Sequence, residues 1–162
     1  MRILPFLYGC KALATLLLVC GPAHASADEN WPTTPKFIEL STPYGTLTVS
    51  ESEYVYEAQL KLDGGQIDPP ISGMLSLNYS FEMPDRQATL ISISSGNNAC
   101  PIMYRWMVMR ADSYSISPAF GSCSEQIRVS ADAKTLTLQT PNQESPEKID
   151  TYVYDGKNLQ VR

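Results

Sequence analysis

From Tyr44 onward the chain reads as one short alternating stretch after another, and this alternation most limits what it can fold into. In "YGTLTVS", Leu47 and Val49 alternate with Thr46, Thr48 and Ser50. "EYVYEAQLKL" sets Tyr54, Tyr56, Ala58, Leu60 and Leu62 on one face, and "GMLSLNYSF" does the same with Leu75, Leu77, Tyr79 and Phe81. A period of two is that of a strand with one apolar face. "ATLISIS", "SYSIS", "EQIRVS", "TLTLQT", "DTYVYD" and "NLQV" continue the series. "DGG" at 63–65, "MPDRQ", "SADAKT" and Asp155-Gly156 mark turns, recurring about every 8–14 residues. No useful window has the i, i+3, i+4 spacing of an amphipathic helix. The pattern predicts an all-β, antiparallel sandwich or barrel, one domain over residues 37–162.

The N-terminus reads as an address. Arg2 and Lys11 precede a short apolar run, Ala12 to Cys20; Gly21-Pro22 breaks it, and Ala23-His24-Ala25 follows. A basic start, an apolar stretch of this length and an A-x-A site predict a secretory signal peptide over residues 1–25, cleaved between Ala25 and Ser26. The run is short of the roughly 20 residues that span a bilayer, so no stable membrane anchor is expected after cleavage. Lipid attachment at Cys20 would want a small residue before it, and Val19 is not small. "SADENWPTTPK", residues 26–36, has no periodic pattern and reads as a flexible lead-in.

Cleavage removes Arg2 and Lys11 but no acid, taking the formal charge from −5 to −7. It also removes His24, the one histidine. Without imidazole there is no Ser-His-Asp or Cys-His site, and none of the usual catalytic zinc sites. Carboxylate chemistry survives on these grounds. However, Glu51, Glu53 and Glu57 share strand parity opposite Tyr54, Tyr56, Leu60 and Leu62, the pattern of a wet strand face, and Asp63 opens a turn. No S-x-x-K, G-x-S-x-G, phosphate loop or EF-hand loop occurs. The expectation is no catalytic residue, no cofactor and no metal. A pI near 4.8 without basic clusters argues against nucleic acid.

Cys100 and Cys123 are the cysteines that outlast cleavage. In an oxidising compartment such a pair is ordinarily a disulfide, and the spacing is far from C-x-x-C. Between them, "PIMYRWMVM" is apolar on both faces: Ile102, Tyr104, Trp106 and Val108 against Met103, Met107 and Met109. That predicts a central strand covered on both sides, with Arg105 near a sheet end or paired with a carboxylate. The alternative is a methionine docking face. Tyr152 and Tyr154 form a same-face pair, either packed on neighbours or open to a sugar.

"NACPIMYRWMVM", "SPAFGSCSEQIRVSADAKTLTLQTP" and "YVYDG" together resemble a group of small exported proteobacterial proteins that share N-A-C-P-x-x-Y-R, F-G-[ST]-C-S and Y-x-Y-D-G segments. The likeness covers about Asn97 to Gly156. It implies a bacterial origin, export and a Cys100–Cys123 bridge, and it lends no catalytic residue.

Two function classes follow. The leading expectation is a periplasmic or secreted binding or inhibitory module with a protein partner, such as a cell-wall hydrolase or a toxin. An acidic chain meets a basic partner faster at low salt. Its contacts are expected on "SSGNNA" (residues 94–99) or "SPAFGS" (residues 117–122), since binding residues often sit on loops held by a rigid frame. The alternative is a carbohydrate or small-ligand binding protein of the envelope, which would show an aromatic row lining a cleft.

Overall fold

A computed structural model describes residues 30–51 and 57–162. The expected signal segment, the Ala25–Ser26 cleavage point, Glu53, Tyr54 and Tyr56 lie outside the described residues. Among those described there are twelve strands and no helix. They are β1 (Glu39–Thr42), β2 (Gly45–Ser50), β3 (Ala58–Leu62), β4 (Gly65–Gln66), β5 (Ser72–Met83), β6 (Arg86–Ser94), β7 (Ile102–Arg110), β8 (Ser113–Ile116), β9 (Arg128–Ala131), β10 (Leu136–Pro141), β11 (Ile149–Tyr154) and β12 (Leu159–Val161).

The strands make two antiparallel sheets. The larger runs β1-β2-β3-β5-β6-β7-β8, with β4 paired to β3; the smaller runs β12-β11-β10-β9. Tight turns do most of the joining. Asp63 and Gly64 separate Leu62 from its partner Gly65, and both have positive φ, 50° and 77°. That is the backbone a two-residue hairpin asks for, which explains the "DGG" signal. Asp132 closes the β9–β10 hairpin by accepting the Lys134 and Thr135 amides, each at 2.7 Å. Asp155 does likewise for Lys157 and Asn158 between β11 and β12.

The two sheets pack face to face as a sandwich. Ala88 and Leu90 of β6 and Trp106 and Val108 of β7 meet Leu136 and Leu138 of β10 and Tyr152 and Tyr154 of β11. A second apolar cluster lies on the other face of the large sheet. There Leu47 of β2 and Leu60 of β3 join Leu75, Leu77, Ile91, Met107 and Met109. β7 is therefore covered on both sides, as its two apolar faces require. Met107 and Met109 are fully buried, so the docking-face reading of the methionines is overturned: strands β2 and β3 cover them. Tyr152 and Tyr154 are core residues too, with Phe120 5.4 Å from Tyr152, rather than an open sugar platform.

β5 departs from its expected face. Leu75, Leu77, Tyr79 and Phe81 were expected on one side. Instead Leu75 and Leu77 enter the second cluster, while Tyr79 and Phe81 pack on the first. The register gives the reason. Leu77 pairs with Ile91 and Ser80 with Thr89, so Asn78 and Tyr79 together oppose Leu90. This two-against-one bulge adds a residue and reverses the side-chain alternation beyond it. One long strand thereby serves both cores.

The start of the described chain returns to this bulge. Phe37 and Leu77 exchange backbone hydrogen bonds of 2.8 and 2.9 Å. Before it, residues 30–36 carry no strand and lie against the domain. Trp31 sits under the Arg128 guanidinium, 4.6 Å from ring centroid to Cζ, and the Pro35 carbonyl accepts from Asn78 Nδ2 at 2.8 Å. Cys100 and Cys123 are bonded, with Cα atoms 4.7 Å apart, joining the entry to β7 to the segment that leads into β9.

Candidate cleft at the disulfide end

The disulfide fixes one wall of a cleft. Cys123 itself and Gly121, two residues before it, both have positive φ, 63° and 124°, so the chain turns sharply here. Glycine suits position 121 because its φ of 124° strains any side chain, and a Cβ there would also lie 3.0 Å from Tyr104 Cδ2. The turn is pinned to β7. Tyr104 and Phe120 exchange backbone bonds of 2.8 and 2.9 Å, and the Tyr104 hydroxyl donates to the Ser124 carbonyl at 2.9 Å. Glu125 and Gln126, immediately after, form the wall.

The opposite wall is the lead-in, Trp31 to Lys36, tied across by Thr34 Oγ1 donating to the Glu125 carbonyl at 3.4 Å. Asn78, Ser92, Ile102 and Tyr104 make the floor. The cleft holds about 350 Å³, the low end of the roughly 300–1,000 Å³ usual for small-ligand sites.

Two groups give the floor its character. Asn78 is 3% exposed, and while its Nδ2 is bonded to Pro35, its Oδ1 has no partner. Unpartnered side-chain atoms also occur on Gln87, Trp106 and Ser115, but Asn78 is the one of these four residues that lines the cleft. Tyr104 holds its proton far more tightly than an ordinary tyrosine. Burial is the main cause, and the nearby Glu125 charge adds to it.

The loops expected to bind part company. Ser95 to Ala99 are exposed and stiffened from within: Ser95 Oγ donates to the Cys100 carbonyl at 2.6 Å, and Asn97 Oδ1 accepts the Ala99 amide at 2.9 Å. Gln143 Nε2 reaches across to the Ala99 carbonyl at 3.0 Å, so the loop before β11 leans on this one. By contrast, residues 117–122 are largely inside. Ser117, Phe120 and Ser122 are buried, and only Pro118 and Ala119 are exposed. Ser117 Oγ accepts the Trp106 amide at 2.9 Å, and Ser122 Oγ bonds Thr140 and the Pro141 carbonyl. This loop ties the two sheets together through Ser117 and Ser122 and leaves Pro118 and Ala119 at the surface.

Of the carboxylates close in sequence, Glu51, Glu57 and Asp63 are exposed, and Asp63 Oδ1 accepts the Thr46 amide at 2.8 Å as a turn cap. Arg105 donates from Nη1 to the Ser117 carbonyl at 2.9 Å. Among the described residues no group of three or more His, Cys, Asp or Glu side chains could hold a metal ion. Asn78 and Trp31 escaped sequence reasoning. In sequence Asn78 alternates with Leu77 and Tyr79 as a wet-face residue does, and no local pattern marks the bulge that buries it. No protein-family model, curated protein or solved structure matches the chain.

Proposed function

We propose that this chain is an exported binding module of the bacterial cell envelope, without catalysis of its own, that engages a protein partner at the disulfide end of the sandwich. The observation supporting this reading is the cleft: a concave site of about 350 Å³ on the double-cored frame, walled by Trp31 to Thr34 and Lys36 on one side and by Glu125 and Gln126 on the other. Exposed loop 95–99 is fixed to that same end by the Cys100–Cys123 bond. Concave sites with a few convergent polar groups are where ligands bind. After the expected cleavage before Ser26 the chain carries a formal charge of −7, which suits a basic partner such as a cell-wall hydrolase or a toxin.

A carbohydrate ligand is the second reading, favoured by Trp31 and Tyr104 lining the cleft. Against it, Tyr104 is buried, and the Trp31 ring is engaged by Arg128. Affinity capture from envelope extract at about 50 and 500 mM salt separates the two readings, run beside sugar and peptidoglycan binding assays. Across that range the Debye length falls from above 10 Å to a few Å. The expected result is a protein captured at the lower salt and lost at the higher. Saturable glycan binding with no protein captured would replace the first reading with the second. Intact mass of the exported material should correspond to a chain starting at Ser26, and a lipid on Cys20 or retained residues 1–25 would refute the export step.

A further inference from the structure

Cations gather at the end of the sandwich away from the disulfide. Arg86 opens β6 and Arg110 closes β7, and the pairing of Gln87 with Met109 sets them side by side. Both guanidiniums reach across to the small sheet. A Cβ built on Gly156, in the turn between β11 and β12, would lie 3.6 Å from Arg86 Nη1 and 3.7 Å from Arg110 Nη2. The two nitrogens thus converge on the space beside this glycine, whose φ of 94° disfavours any side chain there. Lys134 and Lys157 stand with Arg86 around an open depression of about 370 Å³, which Asp85, Ala133 and Asp155 also line.

These cations are loosely compensated. The Arg86 side chain is 14% exposed, and its one ion pair, from Nε to Asp85, spans 4.0 Å. Its Nη2 donates to the Lys134 and Ala133 carbonyls at 3.0 and 3.4 Å. Among the described residues Nη1 meets no acceptor, and neither does the Arg110 guanidinium. Arg110, Lys134 and Lys157 form no ion pair with the described residues either. Both arginines keep nitrogens open to solvent, since the buried side-chain atoms without a partner belong to Asn78, Gln87, Trp106 and Ser115. The acids of this end do not fill the role. Asp132 and Asp155 each accept two turn amides, and Asp85 is itself 75% exposed. Asp112 shares the neighbouring depression with Arg110 but forms no ion pair with it. A largely buried guanidinium without a close counter-charge is costly, and an anion at Nη1 relieves it.

We infer that this end binds a tetrahedral oxyanion of the phosphate class, held between Arg86 Nη1 and Arg110 Nη2 beside Gly156, with the Lys134 and Lys157 charges at the rim. Guanidinium donors arriving from two strands suit an anion whose oxygens point several ways, and such charge-assisted bonds are the strong ones. The guest is free phosphate or a small phosphomonoester; the negative charge of the whole chain disfavours docking on an anionic lipid surface. The site is separate from the cleft. β6 leads from Arg86 here to Ser94, which pairs with Ile102 near the disulfide, so the anion site stands whatever engages the other end.

The test is an NMR titration of the exported protein with inorganic phosphate, glucose 6-phosphate, glucose and chloride at matched ionic strength. Phosphate should shift the Gly156 amide and the Arg86 and Arg110 Nε–H signals saturably, with a Kd on the order of 1–10 mM, while glucose and chloride should not. Arg110→Gln should weaken binding about tenfold and Lys157→Gln about twofold. Arg110→Lys keeps the charge and loses the fork, and should still weaken binding about fivefold. Lys157 is exposed, so its change leaves the fold alone, and the comparison of phosphate with chloride on the parent needs no variant. Glucose 6-phosphate binding at least as tightly as phosphate assigns the site to a phosphomonoester, and a silent glucose 6-phosphate beside saturable phosphate assigns it to the free ion. No saturable shift, an equal response to chloride, or indifference to both Arg110 variants would overturn the inference.

Discussion

Replacing both Cys100 and Cys123 by serine removes a crosslink between residues 23 apart in sequence. On the chain-entropy account a loop of that length restrains the unfolded chain by about 3.4 kcal/mol at 25 °C. With a urea m-value of about 1.5 kcal/mol/M, the midpoint should drop by about 2 M. The native loop is held by more than the bond: Tyr104 and Phe120 stay paired through their backbones, and Ser122 stays tied to β10. The variant should therefore keep its β signature in circular dichroism while losing stability. The backbone offers a second, independent reading. Cys123 sits at φ 63°, a left-handed conformation that costs a residue with a Cβ about 1–2 kcal/mol. Glycine escapes that cost but gives up about 0.5–1 kcal/mol through its freer unfolded chain. Cys100→Ser with Cys123→Gly should thus be more stable than the double serine variant by about 0.5–1 kcal/mol, near 0.5 M in urea midpoint. Urea titrations followed by far-ultraviolet circular dichroism measure both, with thiol assay of the unfolded, unreduced parent expected to find no free thiol. A double serine midpoint within about 0.3 M of the parent would refute the crosslink argument. A glycine variant no more stable than the serine one would refute the backbone argument.

Two further outcomes follow from the cores. Tyr104, Tyr152 and Tyr154 are all held above the ordinary tyrosine range, each mainly by burial. Between pH about 10 and their folded values the unfolded chain gives up protons that the folded chain keeps, so stability should be complete below about pH 10 and fall as pH rises beyond it. Urea midpoints at about pH 8 and 11, with ultraviolet absorbance for phenolate, test this; all tyrosines ionising together near pH 10 with the fold intact would contradict it. Met107→Ala, at a site fully buried between β7 and the strands covering it, should cost about 2–5 kcal/mol in urea unfolding. A loss under about 1 kcal/mol, as at an open surface, would restore the docking-face reading of the methionines.

Alternation and turn chemistry act between near neighbours, so the sequence by itself determined the strand class, the hairpins at Asp63-Gly64 and Asp155-Gly156, and the double burial of β7. The period of two is set by backbone geometry wherever a strand forms, and "DG" specifies its turn through φ values that glycine and its neighbour can reach. The Cys100–Cys123 bond was legible for a different reason: few cysteines lie outside the N-terminal apolar run, and the expected export to an oxidising compartment favours joining the two that do. Tertiary structure decided the rest. The bulge at Asn78-Tyr79 is a mismatch of register between β5 and β6, a relation between two strands that neither carries alone. It sent Leu77 and Phe81 to different cores, turned Asn78 from a wet-face residue into a buried acceptor, and set the floor of the cleft. "SPAFGS", polar and glycine-bearing, read as a free loop. It is buried because Ser117 and Ser122 find backbone partners on β7 and β10, which lie far apart in sequence until the sheets pack. Trp31 joins the cleft through Arg128, nearly a hundred residues on, and such a meeting exists only after the chain has folded.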